Sequence, residues 1–321
     1  MSALSQYPVS DRLTPSEIAT KSLNTKKQPT LSVVVASYNA EESLEQCLEA
    51  LVRQPKATQI VVSDCSPEDP GPRLQARFPD VEFVHSDSPK SLPELRWAVL
   101  DRLQGEIVGT VEARCIPEPD WCATVIEAHQ THPGAATIGG PVGVQSNAPA
   151  FELGMYFSEH VAFAPPVAVG PSTTVCDANL SYKRSALSQW SEYIDSGVWE
   201  ATIHEETRKE GATLALCDAG VQYRHEGYGV WTAIQQRFAY GRSYAAERVA
   251  SAKRHAGLLH AATCPLLPFV LTWRNWQAAR AKGLDRLFLR SLGWTAAFNA
   301  LWSLGEFAGY TLGRPARTGI Y

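Results

Sequence analysis

The stretch LSVVVASYNA, Leu31 to Ala40, is a continuous apolar run rich in β-branched residues that ends in Ser37, Tyr38 and Asn39. A strand with one wet face alternates apolar and polar residues. An unbroken run is the pattern of a strand covered on both faces, as in a parallel sheet. The next segment, EESLEQCLEALVRQ, places Leu44, Leu48, Leu51 and Val52 at helical spacing. Its opening acids suit a helix N-terminus. QIVVSDCSPEDP then reads as a second strand ending at Asp64, and PDVEFVHSDS as a third. LPELRWAVLDRLQGE reads as a helix over Leu92–Glu106, and IVGTVEARC as a fourth strand over Ile107–Cys115. Strand–helix alternation across residues 31–125 predicts an α/β fold with a doubly wound, mostly parallel, Rossmann-like sheet. Ligands of such sheets sit outside the carboxyl ends of the strands. Tyr38, Asp64 and Glu112 all fall at such ends.

Further along, the texture changes twice. After IGGPVG the pattern is one of mixed loops and short strands to about Val175. CDANLSYKRSAL reads as a strand or turn entering a helix, and SGVWEATIHEETRKEGATLAL as a polar helix followed by a short strand. From Arg254 onward two apolar, Trp-rich segments, GLLHAATCPLLPFVLTW and FLRSLGWTAAFNALWSLGEFAGYTLG, flank the basic linker RNWQAARAKGLDR. The expected division is a polar arm over 1–29, a main domain over 30–250 and an apolar helical extension over 251–321. Neither apolar segment is an uninterrupted membrane span: His260, Pro265 and Pro268 break the first, and Arg290, Asn299 and Glu306 the second. The tryptophans Trp273, Trp276, Trp294 and Trp302 suit an interfacial helix pair, a homodimer interface or a cap on the core, and the sequence leaves these open.

Global composition narrows the function classes. At 321 residues the chain can bury a large core, and a net charge of −4 gives no electrostatic footprint for nucleic acid. Seven cysteines occur with no CxxC and no Cys/His spacing of a zinc site, which reads as reduced thiols in a cytosolic setting. The first 29 residues contain no apolar run, so no secretory signal is expected there.

Taken in order, VVVASYNAEESLEQCLEAL, VVSDCSPED, LPELRWAVLDRLQGEIVGTVEARCIPEPDW, DANLSYKR, VWEATIHEETRKEG and VQYRHEG resemble family 2 glycosyltransferases of the GT-A fold, over roughly residues 30–250. The resemblance implies a nucleotide-diphospho-sugar donor. Ser37 and Tyr38 would form the platform for the base, where aromatic stacking is tolerant of sequence. Asp64, in Ser63-Asp64-Cys65-Ser66 where the family usually has Asp-Asp-Gly-Ser, would accept from base or ribose; an Asx-turn is the plainer alternative. Arg96 matches a position near the nucleotide, with a helix-surface arginine as the alternative. The family's metal-binding Asp-x-Asp is here Glu112-Ala113-Arg114. Glu112 can still offer oxygen to Mn²⁺ or Mg²⁺. Arg114 cannot bind a cation, but its planar fork can pair with phosphate, so metal dependence is in doubt. Asp177 and Asn179 match the segment lining the sugar pocket, and His225 a position near metal or diphosphate. Glu200, eleven residues before Gly211, matches the general base that an inverting transfer requires, with Glu205 as its rival.

Two function classes follow. One is an inverting glycosyltransferase of hexosyltransferase type, acting on an acceptor that is lipid or glycan at the cytoplasmic membrane face. The other is a non-catalytic nucleotide-sugar binding or scaffold protein that kept the fold and lost the metal site. A nucleotidyltransferase would want a basic, glycine-rich loop after the first strand, and ASYNAEES has neither feature.

Overall fold

The computed structural model describes residues 31–54, 59–195, 199–224, 229–250 and 254–313. Leu31–Ser37 forms β1, buried at every position, and Glu41–Val52 forms α1. The first half continues through β2 (Gln59–Asp64), α2 (Gly71–Leu74), β3 (Val81–His85), α3 (Leu92–Trp97), β4 (Ile107–Glu112), β5 (Cys115–Pro117) and α4 (Trp121–Thr131). Then come β6 (Ala135–Gly139), β7 (Val142–Val144), α5 (Ala150–Glu159), β8 (Gly170–Ser172), β9 (Asn179–Lys183), α6 (Arg184–Gln189) and α7 (Ser191–Asp195). The second half adds α8 (Glu200–Lys209), β10 (Thr213–Leu216), β11 (Val221–Tyr223), α9 (Val230–Ala250), α10 (Arg254–Thr263), α11 (Leu267–Ala281) and α12 (Asp285–Leu312).

The large sheet has the order β3-β2-β1-β4-β9-β6-β10-β8. Its first four strands are mutually parallel, as the unbroken apolar runs predict, and β9 enters antiparallel between β4 and β6. Register fixes the ligand edge: Ser37 lies opposite Asp64, Ala36 opposite Glu112, and Asp64 opposite His85. A small second sheet runs β5-β11-β7. The main core packs α1 and α4 on one face of the large sheet through residues such as Leu44, Leu48, Trp121 and Val125.

Three local expectations are corrected. The helix expected over Leu92–Glu106 stops at Trp97 and yields only a 3₁₀ turn over Leu100–Arg102. The chain leaves the helix because the backbone N–H groups of Gln104 and Gly105 donate to Ser32 Oγ at 3.1 and 2.8 Å, which pins the entry to β4. Only a glycine fits at 105, since a Cβ there would strike the backbone of Ser32. The strand expected over Ile107–Cys115 is split. Ala113 N makes the last bond to β1, at Ala36 O (2.9 Å), and the Ala113–Arg114 turn hands the chain to β5 in the small sheet. Finally, the region read as loops and short strands contains the helix α5. Leu153 to Phe157 are all buried, while Glu152, Ser158 and Glu159 are partly exposed. Gly154 lets α12 approach, because a Cβ there would meet Trp294 Cβ.

The C-terminal helices lie across the ligand edge of the sheet. α9 and α12 pack backbone to backbone: Gly241 lies against Trp302 O, Gly305 against Phe238 O and Gly309 against Arg242 O. α11 and the 3₁₀ turn before it carry the exposed apolar residues Leu266, Phe269 and Trp273. Among the described residues no helix is long and apolar enough to cross a membrane.

Candidate active site

The carboxyl ends of β1 and β4 open into a cavity of about 580 Å³ roofed by α8, α9, α11 and α12. Ser37, Tyr38, Glu112 and Arg114 line its sheet side. Glu159, His160, Asp177, Trp199 and Arg237 line its middle, and Tyr244, Arg248, Arg274, Trp302 and Glu306 its helical side.

Arg96 is the electrostatic centre. It is fully buried, and its Nη1 donates to Glu200 Oε1 at 2.5 Å. Its Nη2 donates to Glu112 Oε1 at 3.1 Å and to the Asp177 carbonyl at 2.9 Å. The helix-surface alternative is therefore excluded. Ser91 caps α3 in a reciprocal capping box with Glu94, which fixes where the helix begins. Burial pushes the Glu112 carboxyl up to about 7 against the pull of Arg96, with Asp177 and Glu159 adding to the rise. Burial likewise raises Glu200, again opposed by Arg96. Glu200 is 1 % exposed and its Oε2 has no hydrogen-bond partner. It opens α8 just behind the cavity wall made by its neighbours Trp199 and Ala201. The rival Glu205 lies on the exposed face of α8, 3.9 Å from Lys209 Nζ.

Arg114 lines the cavity edge, and its guanidinium donates to Tyr38 O (3.2 Å) and Asn39 O (2.8 Å). It thus fastens the loop after β1, where Asn39 takes a positive φ of 44°. Asp64 lies at the same strand edge. Ser66 donates to it through its backbone N (2.8 Å) and its hydroxyl (2.7 Å), and His85 Nδ1 lies 3.0 Å away. Ser66 Oγ in turn accepts from Asn39 N at 2.9 Å, so Asp64 supports the base-platform loop from below. Asp64 is 2 % exposed and does not line the cavity. Neither does Asn179, which is buried: Trp121 Nε1 donates to its Oδ1 (2.9 Å), and its Nδ2 donates to Pro141 O (3.0 Å) and Ala219 O (2.7 Å). Asp177 does line the cavity. His225 lies outside the described residues.

Sequence spacing gives no sign of three further groups, Glu159, His160 and Cys176. Glu159 is held by Arg237 Nη1 at 2.7 Å, and Arg237 stacks over Trp302. His160 lies at the C-terminus of α5 with its Nδ1 3.4 Å from Cys176 Sγ. Glu159 and His160 end a helix in a stretch that reads as loop, and a sixteen-residue Cys/His separation matches no local metal motif.

The triplet Glu112-Ala113-Arg114 does not fit a divalent metal. Ala113 is buried, Arg114 brings a positive charge, and Glu112 is the one oxygen donor, already engaged by Arg96. Among the described residues the group with metal-ligand geometry is instead His160, Cys176 and Asp177.

Residues 32–189 match the family model described as glycosyl transferase family 2. A glucosyl-dolichyl phosphate glucuronosyltransferase of Haloferax volcanii is 27 % identical over 118 residues, which is 35 % of this chain and 38 % of that protein. The match thus spans well under half of the relative. The fold is similar to that of a mannosyltransferase, PcManGT, from Pyrobaculum calidifontis, solved in complex with GDP-Man and Mn²⁺. The TM-score is 0.52 at 17 % identity, covering 89 % of this chain and 91 % of that one. That likeness shows the fold, a GT-A type sheet with a C-terminal helical region beside it.

Proposed function

The chain carries a glycosyl transferase family 2 domain over residues 32–189, and on that premise we propose that it transfers a sugar from a nucleotide-diphospho-sugar to an acceptor hydroxyl with inversion. The observation that carries this reading is the Arg96 junction, which ties Glu200 and Glu112 to one guanidinium behind a cavity at the carboxyl edge of the sheet. In the proposed step the acceptor oxygen bonds to the anomeric carbon, the bond from that carbon to the diphosphate oxygen breaks, and Glu200 Oε2 takes the acceptor proton. Arg96 orients Glu200 through Oε1, and Oε2, now buried behind Trp199 and Ala201, is the oxygen left for that proton once the acceptor passes that wall. Burial raises the proton affinity of the carboxylate, as a general base needs. Tyr38 offers its ring to the base, and Arg114, beside it, faces the departing diphosphate. No step is assigned to a metal on the Glu112-Ala113-Arg114 triplet.

The acceptor is proposed to be lipid-linked and met at the cytoplasmic membrane face. The cavity continues from the sheet to Arg248, Arg274 and Trp302 among the C-terminal helices. Leu266, Phe269 and Trp273, each at least 60 % exposed, follow one another at helical spacing beside it. Such a stripe suits peripheral contact with a lipid surface.

The Arg114 substitution favours one second reading, a scaffold that binds nucleotide-sugar without turnover. Thermal-shift titration with UDP, GDP, CDP and dTDP, each with Mn²⁺, Mg²⁺ or EDTA, tests the donor site. A shift with one nucleoside that survives EDTA supports Arg114 as the diphosphate's partner without metal, and one lost in EDTA supports an ion at the diphosphate beside it. A shift with none of the four overturns the nucleotide-sugar reading. Binding without turnover of any donor sugar supports the scaffold.

A further inference from the structure

His160 closes α5, and Cys176 and Asp177 precede β9; the fold brings these segments together at the floor of the cavity. Each side chain offers one ligand atom, and the three atoms lie within 4.8 Å of one another. His160 Nδ1 is 3.4 Å from Cys176 Sγ, and Cys176 Sγ is 3.8 Å from Asp177 Oδ1. A tetrahedral ion with bonds of about 2.0–2.3 Å spaces its ligand atoms roughly 3.5 Å apart. The three side chains therefore stand close to three corners of such a site.

We propose that His160, Cys176 and Asp177 bind a thiophilic divalent cation, Zn²⁺ by ligand type, with its fourth position open to the cavity. The donor set decides the ion class: Mg²⁺ and Mn²⁺ prefer oxygen ligands, whereas a thiolate and an imidazole select zinc-like ions. The other ring nitrogen supports the assignment. His160 is 5 % exposed, and its Nε2 has no hydrogen-bond partner but lies 3.5 Å from Glu159 Oε2. Glu159 is itself fixed by Arg237. A carboxylate behind the distal nitrogen is the arrangement that orients metal-binding histidines. Cys176 lies behind the wall, while His160 and Asp177 line the cavity, so the open corner faces the cavity. On binding, the Cys176 thiol gives its proton to solvent as the sulfur–metal bond forms. Bound there, the ion would offer its open position to a diphosphate oxygen. That role rests on the proposed transfer, whereas the existence of the site does not.

Co²⁺ titration of the full chain tests the site directly. One equivalent is expected to produce a thiolate-to-cobalt charge-transfer band that Zn²⁺ abolishes. Cys176→Ser should lose the band, and Asp177→Asn should bind Co²⁺ about tenfold or more weakly. Glu159→Gln should bind about 10–100-fold more weakly while keeping the band. Cys122→Ser, a buried thiol elsewhere, should match the unaltered chain. Absence of the band in the unaltered chain overturns the site, and so does its persistence in folded Cys176→Ser. If Cys176→Ser does not fold, the unaltered chain's spectrum and Glu159→Gln decide. A change in the cobalt ligand-field bands on adding the nucleoside diphosphate that binds in thermal shift supports the diphosphate role. A spectrum unmoved by that bound nucleotide overturns the role.

Discussion

Arg96 and Glu200 are 104 residues apart in sequence and 2.5 Å apart in space, both buried, with Glu112 on the other arm of the same guanidinium. Removing one member of such a group leaves uncompensated buried charge, which is far more damaging than losing an exposed pair. Arg96→Met should lower unfolding free energy by about 3–5 kcal/mol. The deficit should shrink as pH falls, because protonating Glu200 and Glu112 removes the stranded charges. Urea unfolding at pH 8 and pH 5.5 checks both statements. A deficit that does not depend on pH would mean the loss is one of packing.

Glu200→Gln should keep nucleotide affinity and lower kcat by about 10²–10⁴, the range for loss of a general base. Glu205→Gln should leave turnover unchanged, because Glu205 sits on the exposed face of α8 with Lys209. Donor turnover and nucleotide binding measured side by side separate the two glutamates. Equal turnover in unaltered chain and Glu200→Gln would remove Glu200 from the proton transfer.

Glu112 gives stability a pH dependence whose sign can be worked out. Burial holds its folded pKa at about 7, above the ordinary 4.5. A carboxyl raised on folding contributes stability that is fully present below about 4.5 and is lost as pH rises through about 7. The free protein should therefore lose stability between about pH 4.5 and 7, with Glu112 contributing on the order of 3 kcal/mol. Glu112→Gln should flatten that slope in unfolding experiments run across the window. An unchanged slope would assign it to other raised carboxyls, such as Glu247 and Glu306.

The roof over the cavity depends on glycines that differ in what they face. A Cβ at Gly305 would strike Phe238 O in α9, and a backbone carbonyl cannot rotate away as a side-chain tip can. Gly305→Ala should destabilise by about 1–3 kcal/mol as α9 and α12 are pushed apart. Gly293, on the same helix, faces open space. There alanine should stabilise by about 0.5–1 kcal/mol through helix propensity. Thermal unfolding of the pair is the measurement, and similar effects at both sites would contradict the close crossing.

These contrasts show why part of the molecule is legible in sequence and part is not. LSVVVAS and IVGTVE are buried on both faces, so their apolar runs report parallel strands and their ends report the ligand edge. The placement of Tyr38 and Glu112 follows from that alone. Arg96 could be assigned to a helix, but its inward face is set by contacts with Glu200 and Asp177, which no local pattern encodes. α5 is flanked on both sides by glycine- and proline-rich sequence that reads as loop, which leaves Glu159 and His160 at its end unmarked. Asp64 and Asn179 were recognised as special, yet their hydrogen bonds hold a loop and a sheet junction. A polar residue at a strand end has the same signature whether it meets a ligand or its own backbone.

The exposed stripe of Leu266, Phe269 and Trp273 puts the membrane contact to a separate test. The residues recur every three to four positions, so they form one helix face, and Arg274 and Arg280 belong to the same α11 segment. Apolar insertion and attraction to anionic headgroups then act together, which makes binding sensitive to lipid charge and to salt. The chain should co-sediment with vesicles containing anionic lipid and bind neutral vesicles more weakly. Phe269→Ser with Trp273→Ser should reduce sedimentation severalfold without changing unfolding free energy by more than about 0.5 kcal/mol, since both side chains are mostly exposed. If the double variant sediments as before, the stripe is not the lipid contact. If it instead converts a dimer to a monomer in light scattering, the face belongs between two copies of the chain.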